Sequence, residues 1–188
     1  MGNTSFQHSL RQAAVFLGGA VFLAASAISS NAQDSASLPG GATSLQESHG
    51  DWSVVCAVQA QGEQKAKLCA LTQQQTDQNS RQRVLTVELR PVGDAVEGVL
   101  ILPFGLALAK GAALQIDEQP AAEPSPFRTC LPSGCIVDVS LDAKTLAVLK
   151  KGTTLKLNVV ADGGKETQLG IPLNGFAAAV DRTKALLN

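Results

Sequence analysis

The sequence predicts a mainly β fold: one disulfide-stapled antiparallel β-sandwich-like domain, with a short helix near residues 142–151 and a helix at the C-terminus. Three observations carry that expectation. Short runs in which every second residue is apolar recur between clusters of Gly, Pro, Asn and Asp, the pattern of half-buried strands joined by turns. Only two stretches show a helical period with capping residues. The cysteines number four, an even count that suits a stapled framework in an oxidising compartment.

The stretch GDWSVVCAVQAQGEQKAKLCALTQ (residues 50–73) organises the rest. Trp52, Val54, Cys56 and Val58 alternate with Ser53, Val55, Ala57 and Gln59. With Gly62 and Glu63 as a two-residue turn, antiparallel pairing sets Val54 opposite Leu71 and Cys56 opposite Cys69. The two thiols then face each other on the Trp52 side, a geometry suited to a cross-strand bond. Trp52 is read as a core anchor beside that bond and not as a ligand-stacking ring, because it shares the inferred face of Cys56.

Ahead of this hairpin, residues 1–32 read as a secretory signal peptide. His8 and Arg11 form a short polar and basic lead, residues 13–28 are apolar, and Ser30 and Ala32 place small residues at a cleavage site. The apolar run is shorter than the ~20 residues of a membrane span, and no later stretch is suited to a transmembrane helix. Residues 33–49 contain QDSASLPGGATSLQES, without a periodic apolar face, and read as a flexible arm. Residues 50–188 have the size of one ordinary domain.

Beyond the hairpin, residues 72–82 are polar and read as a loop, and Leu85, Val87 and Leu89 mark a third strand ended at Pro91-Val92-Gly93-Asp94. Residues 98–102 are continuously apolar, as in a strand covered on both faces. Pro103, Phe104 and Gly105 interrupt this run. Residues 106–111 fit either strand or turn, and Leu114 and Ile116 mark another strand ended by Asp117. The Pro-rich residues 118–126 form a surface loop. Residues 127–130 and 135–141 read as strands joined by a four-residue turn closed by Cys130 and Cys135, with Val137, Val139 and Leu141 buried. Cysteine pairing is expected between neighbours, Cys56 with Cys69 and Cys130 with Cys135, out of three arrangements available to four cysteines.

Asp142 is an N-cap for the short helix, with Leu146 and Leu149 inward and Lys150 and Lys151 at its negative end. Leu155, Leu157 and Val159 form one strand face, and Thr167, Leu169 and Ile171 another, joined at Asp162-Gly163-Gly164. Asn174 is expected to cap the last helix, with Phe176, Val180 and Leu187 on its buried face.

Composition excludes several functions. Removing the leader takes one arginine and no acid from 15 basic and 16 acidic residues, leaving a net charge of about −2. A nearly neutral, mixed-sign surface gives no electrostatic case for nucleic acid or an anionic membrane. Past the leader the chain has one histidine, His49, without a G-x-S-x-G elbow or a serine and carboxylate placed for a triad. Cys56 and Cys69 lack the close ligand spacing of a zinc ribbon, so no metal or cofactor is expected. The acid pairs Asp117-Glu118 and Asp138-Asp142 show no sign of converging across a sugar. A protein without catalytic residues, reading a partner through its loops at 72–82 and 118–126, is the expectation. A small periplasmic hydrolase or an inhibitor-like protein is the alternative. The apolar segment 102–114 is a partner surface if exposed and a closure of the sandwich if buried, and the buried reading is preferred.

The ordered set GDWSVVC (50–56), CALTQ (69–73), LPFGLALAKGAALQID (102–117), PFRTC with GC (126–135), LKKGTTLKL (149–157) and IPLNGF (171–176) resembles the invasion-associated locus B family of exported bacterial proteins. Asn174 stands where a small serine is expected in many of its members. The resemblance implies a compact β-sandwich-like domain located in the periplasm, attached peripherally to the outer membrane or secreted. It also implies an unknown envelope or host protein as partner, a link to host-cell invasion in some members, and no established catalytic residue.

Overall fold

The computed structural model describes residues 37–62 and 64–188. The expected signal peptide at 1–32 and the start of the expected arm lie outside them. Ten strands and two helices follow in order: β1 (Ser44–His49), β2 (Trp52–Gln61), β3 (Gln64–Thr76), β4 (Arg83–Val92), β5 (Ala95–Leu102), β6 (Ala113–Ile116), β7 (Phe127–Leu131), β8 (Gly134–Leu141), α1 (Ala143–Leu149), β9 (Thr154–Val160), β10 (Glu166–Pro172) and α2 (Phe176–Leu187). They build a seven-stranded sheet, β1-β2-β3-β4-β5-β8-β7, and a three-stranded sheet, β10-β9-β6. Every ladder is antiparallel.

Register follows the side-chain alternation. Cys56 pairs with Cys69 and Val54 with Leu71, as the two-residue turn dictates. Trp52, Val54, Cys56, Leu71, Val87, Leu89, Val96, Leu100, Val137 and Val139 all turn to one side of the large sheet and are buried. The small sheet contributes Leu155, Leu157, Val159 and Ile171 to the same core, and the helices contribute Leu146, Leu149, Phe176, Ala179 and Val180. The rings of Trp52 and Phe176 lie with centroids 5.0 Å apart, tilted by 60°. Trp52 Nε1 donates to the Pro172 carbonyl at 3.0 Å, so the indole fills the core while its one polar atom ties β2 to the end of β10.

Several sequence expectations give way to tertiary contacts. The arm is a strand from Ser44 onward, paired along its length with β2. Its inward positions are Leu45, Glu47 and His49, two of them polar, so hydrophobic alternation does not reveal it. The loop expected at 72–82 is strand as far as Thr76. There the inward side chains are Gln73 and Gln75, whose amides donate to the carbonyls of Pro172 at 3.0 Å and Gly170 at 2.8 Å. β5 is fully buried on one face only, at Val96, Leu100 and Leu102. The β7–β8 connection is a two-residue turn, since Leu131 already pairs with Gly134.

The helices divide likewise. Asp142 caps α1, its carboxylate accepting from the Thr145 N–H at 2.7 Å, with Leu146 and Leu149 buried. Asn174 does not cap α2. Gly175 holds that position with φ of 84° and makes no side-chain cap. The Asn174 carbonyl instead accepts from the Asp51 N–H at 3.1 Å, joining the β1–β2 turn to the start of the helix. On α2 the buried face runs through Phe176, Ala179, Val180, Thr183 and Leu186, leaving Leu187 partly exposed.

Candidate partner-binding surface

The residues nominated for chemistry are held apart, each in local structural contacts. His49, on β1, faces Glu47 on its own strand, with Nε2 3.4 Å from Oε2 but without hydrogen-bond geometry. The Arg182 guanidinium, on α2, donates to both Glu47 oxygens at 2.7 Å. Those hydrogen bonds hold the Glu47 carboxyl below the ordinary glutamate range, against the opposing effect of burial. The same contact raises the Arg182 pKa.

The acid pairs do not converge. Asp117 accepts from the Thr153 and Thr154 N–H groups at 3.0 and 2.9 Å, whereas its neighbour Glu118 meets Lys156 at 2.6 Å. Asp138 faces Arg128 at 3.1 Å, and Asp142 is spent as a cap, the Thr145 N–H holding its carboxyl below the usual aspartate range. Lys150, at the end of α1, reaches Asp181 on α2 at 2.5 Å. Among the described residues no group of three or more His, Cys, Asp or Glu side chains is placed to hold a metal ion.

Cys56 is bonded to Cys69, with Cα atoms 4.1 Å apart, and Cys130 to Cys135, at 3.9 Å. Both bonds cross neighbouring strands, the first in the middle of the β2–β3 ladder and the second one pair from the β7–β8 turn. Trp52 is buried against Phe176 and exposes no ring face for a ligand.

What the surface does present is apolar. Phe104 is 62% exposed, Leu108 44% and Leu131 48%. The crossover from β5 to β6, residues 103–112, carries the first two, contrary to the expectation that this segment is buried. Of residues 102–114 only Leu102, Gly111 and Ala112 are fully buried. The crossover is pinned through its backbone: Ala107 N–H donates to Val160 O at 2.8 Å, Asp162 N–H to Gly105 O at 2.9 Å, and Ala112 N–H to Ser125 O at 2.9 Å. At Gly111, φ of 68° and the nearness of the Ser125 carbonyl, 2.6 Å from where a Cβ would stand, exclude a side chain. Leu131 joins this end of the sheets. Its turn abuts the end of β5, from which the crossover departs, since a Cβ on Gly134 would fall 2.4 Å from the Leu102 carbonyl oxygen.

The polar loops flank this outcrop. Asp77 accepts from the Asn79 and Ser80 N–H groups at 3.0 and 2.7 Å, fixing the 77–82 turn, and Arg83 donates to the Ser133 carbonyl. The 118–126 loop is exposed along most of its length and held by Ala122 N–H to Leu114 O at 2.7 Å. A sequence signal for the outcrop does exist: an apolar run broken by Pro, Phe and Gly. Sequence pattern could not say which way its side chains turn.

Comparisons with known proteins agree with this architecture. The family described as "Invasion associated locus B (IalB) protein" matches residues 52–184. An invasion protein B homolog of Brucella abortus (strain 2308) is 47% identical over 162 residues, which are 85% of this chain and 91% of that protein. Invasion protein B of Bartonella bacilliformis is 36% identical over 155 residues, 80% of this chain and 81% of the relative. The crystal structure of invasion associated protein b from Bartonella henselae superposes with a TM-score of 0.68 at 33% identity, covering 76% of this chain and 96% of that one. On sequence and on fold, the chain belongs to the invasion associated locus B family.

Proposed function

We propose that this protein is an exported, non-enzymatic binding protein of the bacterial cell envelope, periplasmic or peripherally attached to the outer membrane. It meets a partner protein, of the envelope or of a host cell, through the apolar end formed by Phe104, Leu108 and Leu131. The observation that carries the reading is that the backbone of the 103–112 crossover is fixed by hydrogen bonds and Leu106 packs against the core, while Phe104 and Leu108 stand exposed. A rigid scaffold holding apolar groups in water is the arrangement of a contact surface. The site chemistry supports it from the other side. Catalysis requires a nucleophile or activated water together with a tuned acid or base, and the acids named above serve caps and ion pairs instead. Relatives carry the name invasion protein B, which fits a role in contact with other molecules.

Export predicts a mature form beginning near residue 33 with both disulfides formed, to be read by intact mass of the protein recovered from the envelope. A form retaining residues 1–32 overturns that part. For binding, the tagged protein and a Phe104→Ser, Leu108→Ser variant are compared by crosslinking in envelope extract and in host-cell lysate. Partners specific to the parent protein and lost in the variant support the reading. Hydrolytic turnover that survives His49→Ala and disappears in Asp138→Asn refutes it.

A further inference from the structure

The two disulfides stand in different surroundings. Cys56 and Cys69 are both buried, at 1% and 5% exposure, within the β2–β3 ladder. Cys130 is exposed, whereas its partner Cys135 is only 2% exposed. Position explains the difference: β7 is the last strand of the large sheet, with β8 as its one neighbour there, while β8 lies between β7 and β5. A thiolate opens a disulfide by attacking one sulfur and expelling the other, so access decides which bond exchanges and which sulfur is attacked. Access here singles out Cys130.

The surroundings of this bond also suit it to closing again. The ladder pairs Thr129 with Ile136 on one side of the two cysteines and Leu131 with Gly134 on the other, so the thiols remain neighbours when the bond is broken. Arg83 donates to the Ser133 carbonyl, in the turn between the two cysteines. A cation in that position favours the thiolate that opening releases. Exposed disulfides form the labile and regulatory class, in contrast to buried structural ones.

We propose that Cys130–Cys135 is a thiol-exchange site, attacked at the Cys130 sulfur with Cys135 as leaving group. The incoming thiolate forms a sulfur–sulfur bond to Cys130 as the Cys130–Cys135 bond breaks, and Cys135 departs with the electron pair and takes a proton from water. A second thiolate attacks the reductant's sulfur in this mixed disulfide and releases Cys130, which is protonated in turn. Two thiols of the reductant are thereby oxidised to one disulfide while Cys130 and Cys135 are reduced. The co-reactant is a thiol, supplied as two small molecules or as one protein dithiol. Cys56–Cys69 stays closed, so the core keeps its staple. This inference goes beyond the partner-binding reading and does not depend on it.

The test exposes the folded, fully oxidised protein, without denaturant, to reduced glutathione and separately to a thioredoxin-type protein dithiol. Reaction is stopped by acid and the cysteines are mapped by peptide mass. Cys130–Cys135 should open at least about tenfold faster than Cys56–Cys69, because the buried bond must wait for the core to open. Trapped glutathione should sit on Cys130. Oxidised glutathione should modify Cys130 in Cys135→Ser about tenfold faster than Cys135 in Cys130→Ser. The comparison of the two bonds lies within the parent protein, so it decides the matter even where a variant fails to fold. Faster opening by the protein dithiol at equal thiol concentration names a protein as the source, and equal or slower opening names a small thiol; both support the site. Opening of the two disulfides at comparable rates, slower opening of Cys130–Cys135, or an adduct on Cys135 would overturn the proposal.

Discussion

At Gly175 the backbone takes φ of 84°, and a Cβ built there would lie 1.9 Å from the carbonyl oxygen of His49. Gly50, across the contact, has φ of 58°, and a Cβ built there would lie 2.7 Å from the Asn174 carbonyl oxygen. Two glycines thus let the β1–β2 turn press against the start of α2. Gly175→Ala adds left-handed strain and a backbone clash, and should cost about 2 kcal/mol or more in urea unfolding. A neutral result would mean that the contact relaxes freely. Close by, Glu47 gives a pH dependence with a defined sign. Hydrogen bonds from Arg182 lower its carboxyl pKa in the folded state. The stabilisation is therefore complete above the ordinary glutamate range and is lost as pH falls through the lowered folded-state value. Protection of β1 amides, corrected for intrinsic exchange, should fall across that acid window. In Glu47→Gln it should be low throughout and flat with pH. Identical profiles for the two proteins would remove Glu47 as the tether.

Strands and hairpins are the scale at which the disulfides act. The Cys56–Cys69 bond closes a sequence separation of 13 and the Cys130–Cys135 bond one of 5. Chain-entropy arithmetic gives about 3 kcal/mol for the first and about 2 kcal/mol for the second. Paired Cys→Ala variants measured by urea unfolding should keep that order, and the reverse order would show that native packing, not loop closure, sets the difference. β1 shows what hydrophobic patterning misses. It is an edge strand whose inward face is closed by Leu45 and by an ion pair to a helix 135 residues away. The far end of β3 shows the same for Gln73, buried because a carbonyl from β10 meets its amide.

Across the whole molecule, α2 is the piece that joins the most. It packs against β1, β2, β3 and β4. Phe176 and Trp52 meet at the start of that contact. Phe176→Ala should therefore destabilise the protein by about 3–5 kcal/mol, the range for removing a large buried aromatic, with a matching fall in thermal midpoint. A loss under 1 kcal/mol would show that the helix is dispensable to the core.

The sequence by itself determined the mainly β architecture, the β2–β3 register, the paired cysteines' positions, the Asp142 cap and the β9–β10 hairpin. Each rests on interactions between residues near one another in the chain, where a period, a turn or a cap carries its own signature. Only the tertiary structure decided that residues 44–49 are a strand, that Gly175 and not Asn174 starts α2, and that Phe104 faces water. These features depend on partners brought in from distant parts of the chain, such as Arg182 for Glu47 and His49 for Gly175, and no local pattern encodes which partner arrives.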